Sequence, residues 1–227
     1  MVKRLFDILV ASVGLVFASP LIALGVIGIR LTSPGPVFYR AARIGQFGRE
    51  FKMYKLRSMH VATQDGSAIT ADEDPRVFAC GRLLRALKID ELPQFWNVVI
   101  GQMSIVGPRP EDPRIVAEHY TQIDQTTLMV RPGLTSPGSI YNYTHGETMI
   151  DSSDPEKCYV DHLLPVKLSL ERAYLRNAGF LYDVRLIVRT VWVLGCKAIG
   201  IQRFADPPEM RLVLAESAGV RPVAVRS

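Results

Sequence analysis

A chain of 227 residues, 48% of them apolar, has enough hydrophobic material for a sizeable core, which excludes wholesale disorder. Its formal net charge of +5 is unevenly placed: residues 1–60 hold nine basic and two acidic side chains, and the remaining 167 residues are slightly acidic. Cys80, Cys158 and Cys196 form no Cys-x-x-Cys pair, and His60, His119, His145 and His162 show no ligand spacing, so neither a disulfide framework nor a zinc site is expected.

Ile8 to Ile29 is a run of 22 residues without a charge. As a helix it covers ~33 Å, enough to cross a hydrocarbon core of ~30 Å. No small-x-small site marks it as a cleaved signal, and a buried core helix is the other alternative to a membrane segment. Ser19-Pro20 falls near its middle, where proline removes a donor and crowds the preceding turn, predicting a bend. Each half is then ~18 Å, too short to cross alone, so the segment is expected to dip in and return. The carbonyl freed by the proline needs an internal partner, and the Ser19 hydroxyl is the candidate. A kinked spanning helix is the competing topology. Lys3 and Arg4 before the run, and Arg30 and further cations after it, put the globular part on the cytoplasmic face in either topology.

Leu31 to Pro36 ends this segment and redirects the chain. Val37–Tyr39 and Phe51–Lys55 read as strands of a β-hairpin with basic residues on one face, joined by Gly45-Gln46-Phe47-Gly48. Gly66 to Asp74 reads as a surface loop. Gly81–Leu87 is expected to be helical, and a second helix should run from about Glu91 to about Ile100, with Asp90 as N-cap and Pro93 in the first turn. Gly107-Pro108-Arg109-Pro110 is a stiff loop. A helix is expected near Arg114–Tyr120, and Arg131-Pro132-Gly133 and Ser136-Pro137-Gly138 mark turns. Pro165–Asn177 and Leu181–Leu194 read as amphipathic helices; both could lie on a membrane surface, but an ordinary core-facing helix is the preferred reading. The expected divisions are a membrane helix at 1–32, a catalytic body at 33–202 and a weakly ordered tail at 203–227. The fold class is α+β, mostly helical.

Asp90 and Glu91 at a helix start stand out chemically, because such a position offers free N–H groups and positive potential. An ionised carboxylate can attack a phosphoryl group, a neighbouring one can hold Mg²⁺, and arginines such as Arg85 and Arg109 can clamp phosphate oxygens. Each residue alone also has a plain structural reading, as a cap or a solvated face.

The motifs together are more specific. Arg57-Ser58-Met59, Gly81-Arg82-Leu83-Leu84-Arg85, Asp90-Glu91-Leu92-Pro93-Gln94-Phe95-Trp96-Asn97-Val98, Met103-Ser104-Ile105-Val106-Gly107-Pro108-Arg109-Pro110 and Arg131-Pro132-Gly133-Leu134-Thr135 occur in that order. They resemble the bacterial sugar transferases, the monotopic phosphoglycosyl transferases that begin lipid-linked glycan and exopolysaccharide synthesis. The resemblance implies transfer of a phosphosugar from a UDP-sugar to polyprenyl (undecaprenyl) phosphate, with release of UMP. It implies Asp90 as nucleophile, Glu91 as Mg²⁺ ligand, Arg85 and Arg109 near the phosphates, Arg131 at the nucleotide and Ser19-Pro20 as the break of a re-entrant helix. The chain departs from many relatives at Ser136-Pro137-Gly138-Ser139-Ile140, which puts inherited guesses about the sugar in doubt. Lys55 and Arg57 are expected to face substrate phosphates, and the first basic residues to face anionic headgroups of the bacterial inner membrane. A homodimer would suit a membrane enzyme. The competing reading is a non-catalytic basic module on the membrane surface; no nucleic-acid partner is expected, because no reading motif accompanies the basic stretch.

Overall fold

The computed structural model describes residues 2–61, 74–146, 149 and 154–217. The expected loop from Gly66 to Asp74 lies outside the described residues except for Asp74.

The first helix, α1 (Val2–Thr32), continues through Pro20. Its buried residues Asp7, Ala11, Ala18, Gly25 and Ile29 recur at spacings of four and seven, which lie on one helical face. That face is mostly small, so the helix packs closely: a Cβ at Gly25 would stand 2.7 Å from Leu56. Both ends of α1 are tied to the same body. Lys3 pairs with Asp183, and at the other end the Ser33 hydroxyl and carbonyl take hydrogen bonds from Arg57. The opposite face exposes Leu9, Val16, Phe17, Leu24, Ile27 and Leu31. A helix with one face on protein and an apolar face outward is a monotopic membrane footing. Ser19 Oγ donates to the Val16 carbonyl at 2.7 Å, the acceptor left without its helical N–H by Pro20.

The antiparallel hairpin pairs β1 (Phe38–Ile44) with β2 (Glu50–Leu56). Opposed residues share a face, so Arg40 and Lys52 lie on one side and Arg43 and Lys55 on the other. The basic residues are therefore divided between faces, not gathered on one as expected. Helix α2 (Ala79–Ala86) follows, and Gly81 allows it to touch the chain after β2: a Cβ there would meet the Ser58 carbonyl at 2.1 Å. A 3₁₀ turn at Ile89–Glu91 then leads to α3 (Gln94–Val99).

Two strands were not visible in the sequence. β3 (Ser104–Val106) and β4 (Gly133–Thr135) form a short parallel pair. Gly107 and Gly133 face each other at its end, with a Cβ on Gly133 only 2.2 Å from Gly107 N. Asp7 of α1 is buried on β3, accepting from Ser104 Oγ and the Ile105 N–H at 2.8 and 3.0 Å. Between these strands lies α4 (Pro113–His119), capped by Asp112.

Ser136-Pro137-Gly138 starts a helix and is not the expected turn. Ser136 caps α5 (Pro137–Tyr141) by accepting from the Ser139 N–H, and Pro137 at the first position loses no helical bond. A π-helical turn, Asn142–Gly146, continues it. α6 (Pro155–Cys158) runs through a second π turn, Tyr159–Leu163, into α7 (Leu164–Asn177). α7 takes the core-facing course of the two open to it, not the membrane surface: Lys167, Leu168, Leu170, Glu171 and Tyr174 are buried. α8 (Phe180–Ala198) keeps an exposed apolar face of Leu181, Val188, Val191 and Trp192, and Phe180 meets Phe6 of α1 edge-on at 5.1 Å. That face does suit a membrane surface.

Of the expected tail, residues 203–217 are described, and they pack on the body. Glu209 is buried, bonded to Arg189 at 2.9 Å and to the Tyr182 hydroxyl at 2.6 Å. The helix α9 (Met210–Ser217) follows, with Met210 and Val213 packed on the cluster around Leu163 and Leu170.

Candidate active site

The dyad is placed by an abrupt change of direction. Lys88 sits at φ 55°, ψ 21°, left-handed backbone that a non-glycine residue adopts at a cost of about 1 kcal/mol or more. The 3₁₀ turn then presents Asp90, which is 6% exposed, and Glu91. Asp90 is therefore not the N-cap of α3. That helix starts four residues later behind Pro93, which offers no N–H. Helix-terminal N–H groups do not explain the site's charge; cationic side chains do.

Asn97 of α3 aligns those cations. Its Oδ1 accepts from the Tyr54 N–H at 3.0 Å and its Nδ2 donates to the Lys52 carbonyl at 2.8 Å, fixing β2 against α3. Lys55, two residues further along the inner face from Met53, then reaches Glu91: Nζ stands 3.1 Å from Oε1. Arg109 Nη2 donates to the same oxygen at 2.7 Å, and the Tyr143 hydroxyl donates to Oε2 at 3.3 Å. Two cations approach the Tyr143 ring, with Lys88 Nζ 4.5 Å and the Arg109 guanidinium carbon 5.8 Å from its centroid.

The two carboxylates are set apart electrostatically. Burial alone would raise Glu91, but Arg109 and Lys55 outweigh it and hold its carboxyl well below the usual range. Burial raises Asp90, against the pull of Lys55, and the Glu91 charge adds to the rise. Burial likewise lowers the Lys55 ammonium, opposed by Glu91 and Asp90, and pushes the Tyr143 phenol up to about 12. Asp90 Oδ1 and Arg109 Nη1 are buried without a hydrogen-bond partner among the described residues. A buried acceptor near Lys55 and a buried donor near Glu91, both left open, can receive a substrate that brings its own hydrogen-bonding atoms.

The structure brings together Asp90, Glu91, Lys55 and Arg109. Arg85 ends α2, and its charge also favours the ionised form of Asp90. Arg57 is elsewhere. It is 1% exposed and donates to the Pro36 carbonyl at 2.6 Å and to Ser33, so it staples the end of β2 to the end of α1 and makes no contact with the dyad. Arg131 is exposed and donates to the Gly101 carbonyl at 3.0 Å, beside the far end of α3. Lys3 and Arg4 are also engaged with protein, not presented wholly to headgroups. The sequence reading missed Lys88 and Tyr143. Lys88 could have been suspected as the basic residue nearest the dyad; nothing local marks Tyr143, which a π-helical turn delivers from 52 positions away.

Residues 1–197 match the bacterial sugar transferase family. The chain belongs to that family. The bacterial sugar transferase is 35% identical over 193 residues to the UDP-N-acetylgalactosamine-undecaprenyl-phosphate N-acetylgalactosaminephosphotransferase of Aeromonas hydrophila, covering 84% of this chain and 43% of the relative. It is 37% identical over 196 residues to the UDP-glucose:undecaprenyl-phosphate glucose-1-phosphate transferase of Klebsiella pneumoniae, covering 84% and 39%. It is 40% identical over 210 residues to the exopolysaccharide production protein ExoY of Rhizobium meliloti, covering 84% of each. The chain thus spans less than half the length of the first two relatives and most of the third.

Proposed function

We propose that this sugar transferase moves a phosphosugar from a UDP-sugar to polyprenyl phosphate, at the cytoplasmic face of the bacterial inner membrane. The observation that carries the reading is the open, buried Oδ1 of Asp90 next to a Glu91 already held by Lys55 and Arg109. The names of the relatives supply the substrate class.

The residues support a two-step transfer. An Asp90 carboxylate oxygen attacks the phosphorus that carries the sugar. The bond from that phosphorus to the bridging oxygen breaks, and UMP leaves with the electron pair. The sugar phosphate is then held on Asp90 as an acyl-phosphate. An oxygen of polyprenyl phosphate attacks the same phosphorus, the bond to Asp90 breaks, and polyprenyl-diphosphate-sugar forms as the carboxylate returns. Little covalent chemistry is asked of the other residues, whose work is positioning and charge stabilisation. Arg109 offers Nη1 to a phosphate oxygen while Nη2 stays on Glu91, and Lys55 offers a second positive charge.

The donor set fits Mg²⁺, a hard cation commonly held by one or two carboxylates plus substrate phosphates. No group of three or more acidic, histidine or cysteine ligands occurs among the described residues, so substrate oxygens would complete the shell. Glu91 would hold the ion, whose chemistry there would be to neutralise charge on the diphosphate. The test is UMP release in detergent or nanodiscs, with UDP-glucose, UDP-galactose and UDP-N-acetylgalactosamine offered against polyprenyl phosphate. Turnover of at least one that is lost in Asp90→Asn supports the reading; full activity in that variant overturns the nucleophile.

A further inference from the structure

We infer that α7 positions the phosphate clamp: Lys167 and Glu171, one turn apart, hold the chain on both sides of Pro110 and so fix where Arg109 points. The inference rests on the proposed role of Arg109 at the substrate phosphates.

Arg109 and Glu111 flank Pro110 in a loop that carries the clamp between β3 and α4. Lys167 Nζ reaches Glu111 Oε2 at 2.5 Å and the Tyr159 hydroxyl at 2.7 Å, and that hydroxyl also donates to Glu111. All three residues are at most 6% exposed. One turn later, Glu171 Oε1 accepts from the Arg109 N–H at 3.3 Å and from Ser136 Oγ at 2.6 Å. Residues four apart on a helix share a face, so one rigid surface grips the loop twice.

The arrangement exceeds what stability asks for. A buried ion pair is commonly no more stabilising than well-packed apolar residues of similar volume. Glu171 Oε2 is in addition left without a partner among the described residues. Such a group is kept where it fixes a geometry. Here the geometry is that of Arg109, whose guanidinium must meet Glu91 with one nitrogen and leave the other open. Small displacements of such a donor weaken the fit to substrate steeply. Lys167 and Glu171 touch neither dyad residue nor substrate; they are positioning residues.

The test is a mutant cycle read by binding of UDP to the full chain in nanodiscs. Glu171→Leu should weaken UDP binding about 10-fold in the wild-type background and by less than about 2-fold in an Arg109→Ala background, since its effect passes through Arg109. Glu171→Gln, which keeps an acceptor oxygen, should restore binding to within about 2-fold of wild type. A Glu171→Leu loss of the same factor in both backgrounds, or no loss in either, overturns the inference. Should Glu171→Leu fail to fold, Lys167→Met decides by the same cycle, because Glu111 there keeps its Tyr159 bond. If Arg109→Ala itself leaves UDP affinity unchanged, the clamp reading of Arg109 has failed and takes this inference with it. If only the α7 variants are silent, the clamp stands and the inference alone falls.

Discussion

Arg4 donates from both terminal nitrogens to the last turn of α3, with Nη1 2.7 Å from the Val98 carbonyl and Nη2 2.9 Å from that of Val99. A cation at a helix C-terminus answers the partial negative charge there. The start of the membrane helix is thereby joined to the helix that follows the dyad. Arg4→Ala should lower unfolding stability by roughly 2 kcal/mol, as expected for charged hydrogen bonds lost at a part-buried site. Denaturant unfolding in detergent checks this; an unchanged midpoint would show that the bonds carry no weight.

Ser19 and Pro20 make a second, internal test of the membrane helix. The Val16 carbonyl has the Ser19 hydroxyl because Pro20 has no N–H to give it. Ser19→Ala should therefore cost about 1 kcal/mol in the native sequence. In a Pro20→Ala background, where the N–H returns, the same change should cost close to nothing. Equal costs in both backgrounds would separate the serine from the proline.

Lys55 and Arg57 stand two residues apart and should fail in different ways. Lys55→Met removes a cation from Glu91 and should lower turnover about 100-fold, the order seen when one charge-stabilising donor is lost, with the fold retained. Arg57→Met strips hydrogen bonds from the buried Ser33 carbonyl and from that of Pro36 and should cost about 3 kcal/mol or more of stability. Thermal unfolding and UMP release on both variants distinguish the two. A stable, inactive Arg57→Met would contradict the staple role.

Glu171 gives a pH test with a fixed sign. Burial raises its carboxyl from the model-peptide value of 4.5 to about 7, although Ser136 and Lys167 oppose the rise. Below about pH 4.5 the group is protonated both folded and unfolded, so its contribution to stability is whole there. As pH rises through about 7 the unfolded chain ionises first, and stability is lost by a few kcal/mol. Glu171→Gln should flatten the fall in unfolding stability between about pH 4.5 and about pH 7. A parallel fall in both proteins would assign that slope to other groups.

Much of the fold was legible because local chemistry fixed it. The hairpin, α2, α4 and the apolar α1 follow from period and turn residues that tertiary contacts did not overrule. The short parallel strands were not legible, since three residues carry too little pattern and their pairing joins positions about 30 apart. Helix α7 was legible as a core-facing helix, but not the burial of its polar residues: Lys167 and Glu171 look like a solvated face until Glu111 and Ser136 fold onto them. Asp90, Glu91, Lys55 and Arg109, singled out from separate stretches of sequence, are neighbours in the fold. Arg57 stands apart from them as a staple; its motif signals a requirement without saying for what. Tyr143 could come only from the fold, as a side chain carried in by a π turn.

Asp90 is the centre of this account, and intact-mass measurement of the protein after incubation with a UDP-sugar, without polyprenyl phosphate, tests it most directly. The wild-type chain should gain the mass of one phosphosugar group of the UDP-sugar supplied, released by polyprenyl phosphate and mapped to the peptide containing Asp90, while Asp90→Asn gains none. UMP release and lipid product at wild-type rate from Asp90→Asn, or an adduct mapped to another residue, would contradict it.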